Sequence, residues 1–355
     1  MVGIALLGAG IFAREQHLPA IQATTCFELK AVYSRSEEAA TSLAQQAGVK
    51  VDIYFDSPAT SGRSLDDLLA RTDISAVSTC VTILAQPRLI QKAVIAGKHV
   101  LSEKPIAHDM KTATELIKWY NSQPNAPIWA VAENFRFNES LGYAESRVQA
   151  IGGQLTTCRL SYYGSVKKNN KYVNTDWRKT PEFQGGFLLD SGIHFVASLR
   201  LLLNAIGQEV KQVVAFSSLL EEHLPPVDTV HAIVSTNRSR NGTICISFGV
   251  EHKSGLEIEI VTTNGAVVWT PVSVKSTTKL NSDGSIDETK EFVYNNAVRN
   301  EFEAFGEAIL TGSPDLRQAP LEALRDLALL QALLESAEGN GLVKAVEVED
   351  GTENF

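Results

Sequence analysis

The chain has 355 residues, 44% of them hydrophobic and 21% charged, the make-up of an ordinary folded protein and not of a fibrous or disordered one. That length exceeds one typical core and predicts two domains. With 32 Lys and Arg against 41 Asp and Glu the net charge is −9, and an acidic balance spread along the sequence argues against nucleic acid or a membrane as partner. Small molecules remain.

Cys26, Cys80, Cys158 and Cys245 lie far apart with no CxxC or Cys/His cluster, so neither a metal site nor a disulfide framework is expected. Residues 1–7 run straight into a glycine turn without a basic leader, and no later apolar run is expected to span a membrane. A cytoplasmic protein is the expectation, with the sequons at Asn138, Asn237 and Asn241 unmodified.

In chain order, β-rich runs at 2–7, 28–33, 76–80 and 99–101 alternate with helical patterns, the rhythm of a parallel sheet with crossover helices. A run at 128–132 follows the helix centred on Ile117 and closes this sheet. The pattern predicts an α/β Rossmann domain over 1–133. Beyond Gly152-Gly153, runs at 156–163, 212–217, 229–236, 242–249 and 256–261 follow one another with short turns, which predicts a large, mostly antiparallel open sheet. A helix from about Phe187 interrupts that series, and helices at 300–310 and 321–336 precede a short run at 344–348. An α+β domain over 134–355 is expected, for substrate binding and oligomerisation.

The first motif, Gly8-Ala9-Gly10-Ile11-Phe12-Ala13, follows a strand and opens a helix, the setting in which G-x-G-x-x-G/A binds a dinucleotide. Gly8 permits the turn, Gly10 lets a pyrophosphate approach, and the amides of Ile11 and Phe12 face the phosphates. At the end of the second strand, where an NAD enzyme carries an acid for the ribose hydroxyl, stand Ser34 and Arg35. A hydroxyl donor followed by a guanidinium suits a 2′-phosphate, so NADP(H) is favoured, with NAD(H) second.

Further on, Asp190 and His194 stand four residues apart in the predicted helix and so share one face. An imidazole can take a hydroxyl proton near neutral pH, and a carboxylate beside it can steady the charged ring. The pair reads as a proton-transfer unit.

Taken together, the glycine loop, the stretch from Ala96 to Pro105 with Glu103-Lys104-Pro105, and Trp177-Arg178 followed by Gly185-Gly186 and the Asp190/His194 helix resemble the Gfo/Idh/MocA oxidoreductases. The resemblance covers essentially the whole chain. It implies a Rossmann domain followed by an α+β domain whose sheet joins subunits into a homodimer or homotetramer. It implies that Lys104 sits near the nicotinamide and the substrate hydroxyl, that Glu103 holds the ammonium, and that His194 moves the proton with Asp190 in an orienting role. Asn134, Arg136, Tyr162, Trp177 and Arg178 lie near these anchors and are candidates for substrate contact.

Two departures stand out. After the fourth strand many members have a proline and a histidine, whereas this chain reads Cys80-Val81-Thr82, leaving Thr82 as the nicotinamide-side candidate. Three residues after His194 many members carry an acid, and here stands Ala197, which weakens a sugar assignment. The implied activity is hydride transfer between nicotinamide and a carbinol or carbonyl carbon, foremost of a sugar or cyclic polyol. A carbonyl or imine reductase on a less polar metabolite is the alternative, and a non-enzymatic dinucleotide-binding regulator is the second.

Overall fold

All six residues of β1 (Val2–Leu7) are buried, and this continuous apolar run, with no alternation, marks a central strand covered on both faces. The computed structural model describes residues 1–56, 62–279, 285–295 and 297–349. It divides into two units, one of residues 1–133, 298–324 and 349–355, the other of residues 134–297 and 325–348.

In the first unit β1 leads through the glycine loop and a five-residue π turn (Ala13–His17) into α1 (Leu18–Ala23). There follow β2 (Phe27–Ser34), α2 (Glu37–Ala47), β3 (Asp52–Phe55) and α3 (Leu65–Leu69). The unit continues with β4 (Ala76–Thr79), α4 (Gln86–Ile95), β5 (His99–Glu103), α5 (Met110–Asn121) and β6 (Trp129–Ala132). Local chemistry starts these helices: the side chains of Ser36, Ser64 and Asp109 accept amide hydrogen bonds at the first turns of α2, α3 and α5. The strands pair in the order β3-β2-β1-β4-β5-β6, all parallel. The chain therefore reverses direction across the sheet between β1 and β4, and in such sheets that point opens a crevice at the carboxyl ends of the strands.

The second unit starts with α6 (Glu139–Ile151), β7 (Leu155–Tyr163), α7 (Asp176–Lys179) and α8 (Gly186–Asn204). Next come β8 (Val210–Ser218), β9 (Thr229–Thr236), β10 (Asn241–Ser247) and β11 (Gly255–Thr262), then β12 (Gly265–Thr270), β13 (Ser273–Lys279) and β14 (Ser285–Glu291). With a short β15 (Lys344–Ala345) they form a nine-stranded sheet in the order β14-β13-β12-β11-β7-β10-β9-β8-β15. Its neighbours are antiparallel except β7 and β10. Burial alternates along β11, as expected of a sheet with one face in a core. Helices α6 and α8 pack on that face. The other presents Phe216 and Ile233, each 61% exposed.

Two differences from the sequence reading have clear causes. Residues 298–324, left in the second domain by a division at 133/134, pack with the first unit. There α9 (Val298–Thr311) sets Val298, Phe302 and Phe305 into one core with Ile4, Leu6 and Phe27. The last helix, α10 (Pro320–Glu338), then begins in the first unit and continues into the second. The other difference is α8, which is long and apolar enough to cross a membrane, although no apolar run was expected to be. Its apolar window is 78% buried inside the protein, so the hydrophobicity is that of a core helix.

Candidate active site

At the crevice between β1 and β4, Gly8 has φ +114°, and a side chain there would collide with the carbonyl oxygen of Cys80. Only glycine allows this approach. Around Gly10 the opposite holds: nothing lies within 4 Å of where a Cβ would stand. That open space, with the first amides of the Ile11 helix end beside it, fits a dinucleotide pyrophosphate. Arg14, not anticipated from the sequence, ties this loop to α2 by donating from Nε to Ala9 O (3.0 Å) and from Nη2 to Ala39 O (2.9 Å).

One strand over, Ser34 is half-buried and Arg35 exposed, and Ser36 caps α2. The nearby acid after β3, Asp56, accepts a hydrogen bond from the Tyr33 phenol. Burial and that carboxylate push the proton affinity of Tyr33 well up. Thr82 follows β4 and begins a short 3₁₀ turn, Ile83–Ala85.

Glu103 ends β5 and is held from two sides. The His17 ring, fully buried, places Nε2 2.7 Å from Glu103 Oε1 and Nδ1 2.8 Å from Ser78 Oγ on β4. The Lys104 amide donates to Glu103 Oε2 at 3.2 Å. Three elements thus converge on the backbone that carries Lys104, all inside the first unit. The Glu103 side chain is committed to fixing the residue position.

The second unit gathers the other predicted residues around the start of α8. Asp190 is 5% exposed and accepts from Arg178 at Nε (2.9 Å) and Nη2 (2.8 Å), both on Oδ2. The Arg178 guanidinium lies over the Trp177 ring at 3.9 Å and faces Tyr172 at 5.7 Å. His194 is stacked on Phe135, centroids 4.6 Å apart and planes 14° apart. An aromatic wall continues alongside: Tyr162 stacks on Phe195 at 4.2 Å and meets Phe248 at 4.9 Å. Burial holds the Tyr162 phenol above its ordinary range, so it stays a neutral hydrogen-bonding group.

Asp190 and His194 lie on one helix, Asp190 is ion-paired with Arg178, and the His194 ring is stacked on Phe135. Arg178 and Trp177 act together as a clamp on that carboxylate. Asn134 is buried in a 3₁₀ turn, Asn134–Phe137, at the start of the unit. Arg136 is corrected outright: its guanidinium is 3% exposed and paired at 2.6 Å with Asp326, which also bonds Arg200. It locks α10 onto the unit, and its buried charge is satisfied there. His17, Phe135 and Tyr172 escaped the sequence reading. Of these only His17, on the helix opened by the glycine loop, had a motif pointing to it.

The N-terminal part, residues 2–129, matches the model of an oxidoreductase family's NAD-binding Rossmann fold, and residues 149–345 match that family's C-terminal alpha/beta domain. Dehydrogenase FPY6 of Fusarium mangiferae is 71% identical over 349 residues, spanning 98% of this chain and 100% of the relative. A dTDP-3,4-didehydro-2,6-dideoxy-alpha-D-glucose 3-reductase of Actinomadura kijaniata is 24% identical over 95% of this chain and 96% of its own. Among solved structures, an oxidoreductase from Thermotoga maritima (TM0312) superposes with a TM-score of 0.84 at 29% identity, covering 97% of this chain and 98% of that one. The dinucleotide crevice, the fixed lysine at the end of β5 and the imidazole-bearing α8 thus stand in a chain matched from end to end, and it belongs to the Gfo/Idh/MocA oxidoreductases.

Proposed function

We propose that this oxidoreductase is NADP(H)-dependent and moves a hydride between nicotinamide and a carbinol or carbonyl carbon of a small metabolite, foremost a sugar or cyclic polyol. The observation that carries the reading is Lys104, fixed through Glu103 and His17 at the carboxyl edge of the parallel sheet that holds the glycine loop. When bound, the nicotinamide would supply or accept the hydride. The Lys104 ammonium stabilises negative charge growing on the reacting oxygen, and His194 Nδ1 or Nε2 takes or returns the hydroxyl proton. Phe135 keeps the imidazole plane fixed, and Arg178 keeps Asp190 in place on the same helix.

The preference for NADP(H) is supported by exposed Arg35 beside Ser34, and by an acid at the neighbouring strand end that already serves Tyr33. The nucleotide-sugar reductase among the relatives supports the sugar class. A second reading, a carbonyl or imine reductase on a less polar metabolite, is favoured by the aromatic wall of Phe135, Tyr162, Phe195 and Phe248 and by Ala197.

The test is turnover followed by nicotinamide absorbance: NADP⁺ with sugars and polyols, and NADPH with aldehydes, ketones and imines. Oxidation of polyols supports the first reading, and reduction of apolar carbonyls alone the second. Silence in both panels with tight NADPH binding would move the protein to the regulators. We also propose a cytoplasmic homodimer or homotetramer joined through the sheet face that exposes Phe216 and Ile233. Light scattering showing a monomer at micromolar concentration would overturn the assembly.

A further inference from the structure

Helix α4 opens on Gln86, with Pro87 behind it to preset the helical turn. Leu89, Ile90, Ala93 and Val94 fasten the helix into the core, and Gln86, one turn earlier, is only 1% exposed. Its Nε2 donates to the carbonyl oxygen of Pro105 at 3.3 Å, in a buried setting. Only the nitrogen end of the amide can face that oxygen, because a carbonyl does nothing but accept. The Gln86 Oε1 is buried and has no hydrogen-bond partner among the described residues.

An unpaired buried oxygen is costly, and leucine, of nearly the same bulk, would fill the place without one. Packing therefore does not account for a glutamine here, whereas the bond it donates does. The recipient is the residue after Lys104. Proline has no N–H, so the Lys104–Pro105 backbone has a single donor, the Lys104 amide, and is otherwise held through its carbonyls. That amide donates to Glu103 Oε2 at 3.2 Å. The backbone is thus held at Lys104 by its own strand, β5, and just beyond it by α4.

We propose that Gln86 is a positioning residue for Lys104: by pinning the Pro105 carbonyl it closes the second side of a backbone clamp whose first side is Glu103. The backbone sets the direction in which the lysine stem leaves, so a slack clamp lets the ammonium wander. The weight of Lys104 in turnover rests on the reading under Proposed function, but its placement by Gln86 does not.

The experiment is competitive acetylation of the full chain with trace acetic anhydride from about pH 5 to about pH 10, read by mass spectrometry as the labelling of Lys104 relative to exposed Lys50. Lys104 is half-buried, so freeing its backbone should expose the amine. Gln86→Leu should raise the ratio by roughly 2- to 10-fold across the range, the factor that one net hydrogen bond is worth. Gln86→Glu keeps the parent's shape but has a donor only while its carboxyl is protonated. Its ratio should match the parent's at the acid end and that of Gln86→Leu at the alkaline end, with the crossover above the ordinary glutamate value because the site is buried. A group that merely fills space would show no crossover. If Gln86→Leu does not fold, Gln86→Glu serves alone, since its acid and alkaline arms compare one protein with itself. An unchanged ratio in Gln86→Leu, a Gln86→Glu ratio without crossover, or a fall in melting temperature with Lys104 labelling unaltered overturns the proposal. No substrate or cofactor enters the readout, so lack of turnover would remove the hydride-transfer reading and leave this placement standing.

Discussion

The two units hold their chemical groups by different means. In the first, the backbone at Lys104 is set through Glu103 on β5, whose carboxyl meets the Lys104 amide and the His17 ring, which in turn meets Ser78 on β4. In the second, Asp190 and His194 share α8 and are held by half-exposed neighbours, a guanidinium sandwiched on Trp177 and a stacked Phe135. A buried network is costly to disturb, because each partner removed leaves a desolvated polar group behind. The Arg178–Asp190 pair is largely buried too, so of the second unit's supports it is the ring stacked on His194 that tolerates exchange.

The largest expected effect tests whether both units contribute chemistry. Lys104→Ala and His194→Ala should each lower single-turnover hydride transfer by roughly 10²–10⁴-fold. Only Lys104→Ala, in the cofactor-binding unit, should also disturb NADPH affinity. Near-normal rates in both variants would leave the catalytic assignment without support.

The next contrast concerns stability. His17→Ala leaves Glu103 Oε1 and Ser78 Oγ without this hydrogen-bond partner in a buried site and should cost about 1–3 kcal/mol in urea unfolding, the range for a stranded buried polar group. Phe135→Leu, which removes a stacked ring from a half-exposed site, should cost only about 0.5–1.5 kcal/mol. Equal losses would erase the distinction between the two modes of support.

The last contrast is at the rim of the first unit and touches the choice of cofactor alone. Arg35→Ala should weaken NADPH by about 1.5–3 kcal/mol and leave NADH unchanged, measured by calorimetry. Equal binding of both cofactors by the parent protein would sink the assignment of Ser34 and Arg35.

Much of the first unit was legible because a parallel strand and a glycine loop leave local marks. The runs at 2–7, 28–33, 76–80, 99–101 and 128–132 appear as β1, β2, β4, β5 and β6 within a residue or two at each end. β3 was not read, being a four-residue edge strand with an exposed first residue and only Phe55 fully buried. β12, β13 and β14 were not read either, and for β14 the reason is similar: an edge strand with Asp287, Glu288, Lys290 and Glu291 has no apolar face to betray it. The helix at 300–310 was read, but its place in the first core was not, because packing partners far apart in sequence carry no periodic trace.

The site divides the same way. Lys104, Asp190 and His194 sit in short motifs and could be named from the sequence. Spacing on a helix puts Asp190 beside His194 but does not show that Arg178 reaches the same carboxylate from a neighbouring turn. Arg136 looked available because charge on a sequence is normally solvated, whereas Asp326 draws it inside.

The five-residue π turn from Ala13 to His17 is one residue wider than the helix on either side of it. Deleting a single residue there would restore regular winding and change how far His17 stands from the glycine loop. His17 would then lose its place between Ser78 and Glu103, although both glycines of the loop had been kept. The spacing from Gly8 to His17 is thus a gauge length: the strand end, the loop and the widened turn together measure out the distance at which the first β-strand's crevice and the end of the fifth strand are kept in register. Chains that keep both glycines but change that count should retain a dinucleotide cradle while losing its mechanical link to the lysine.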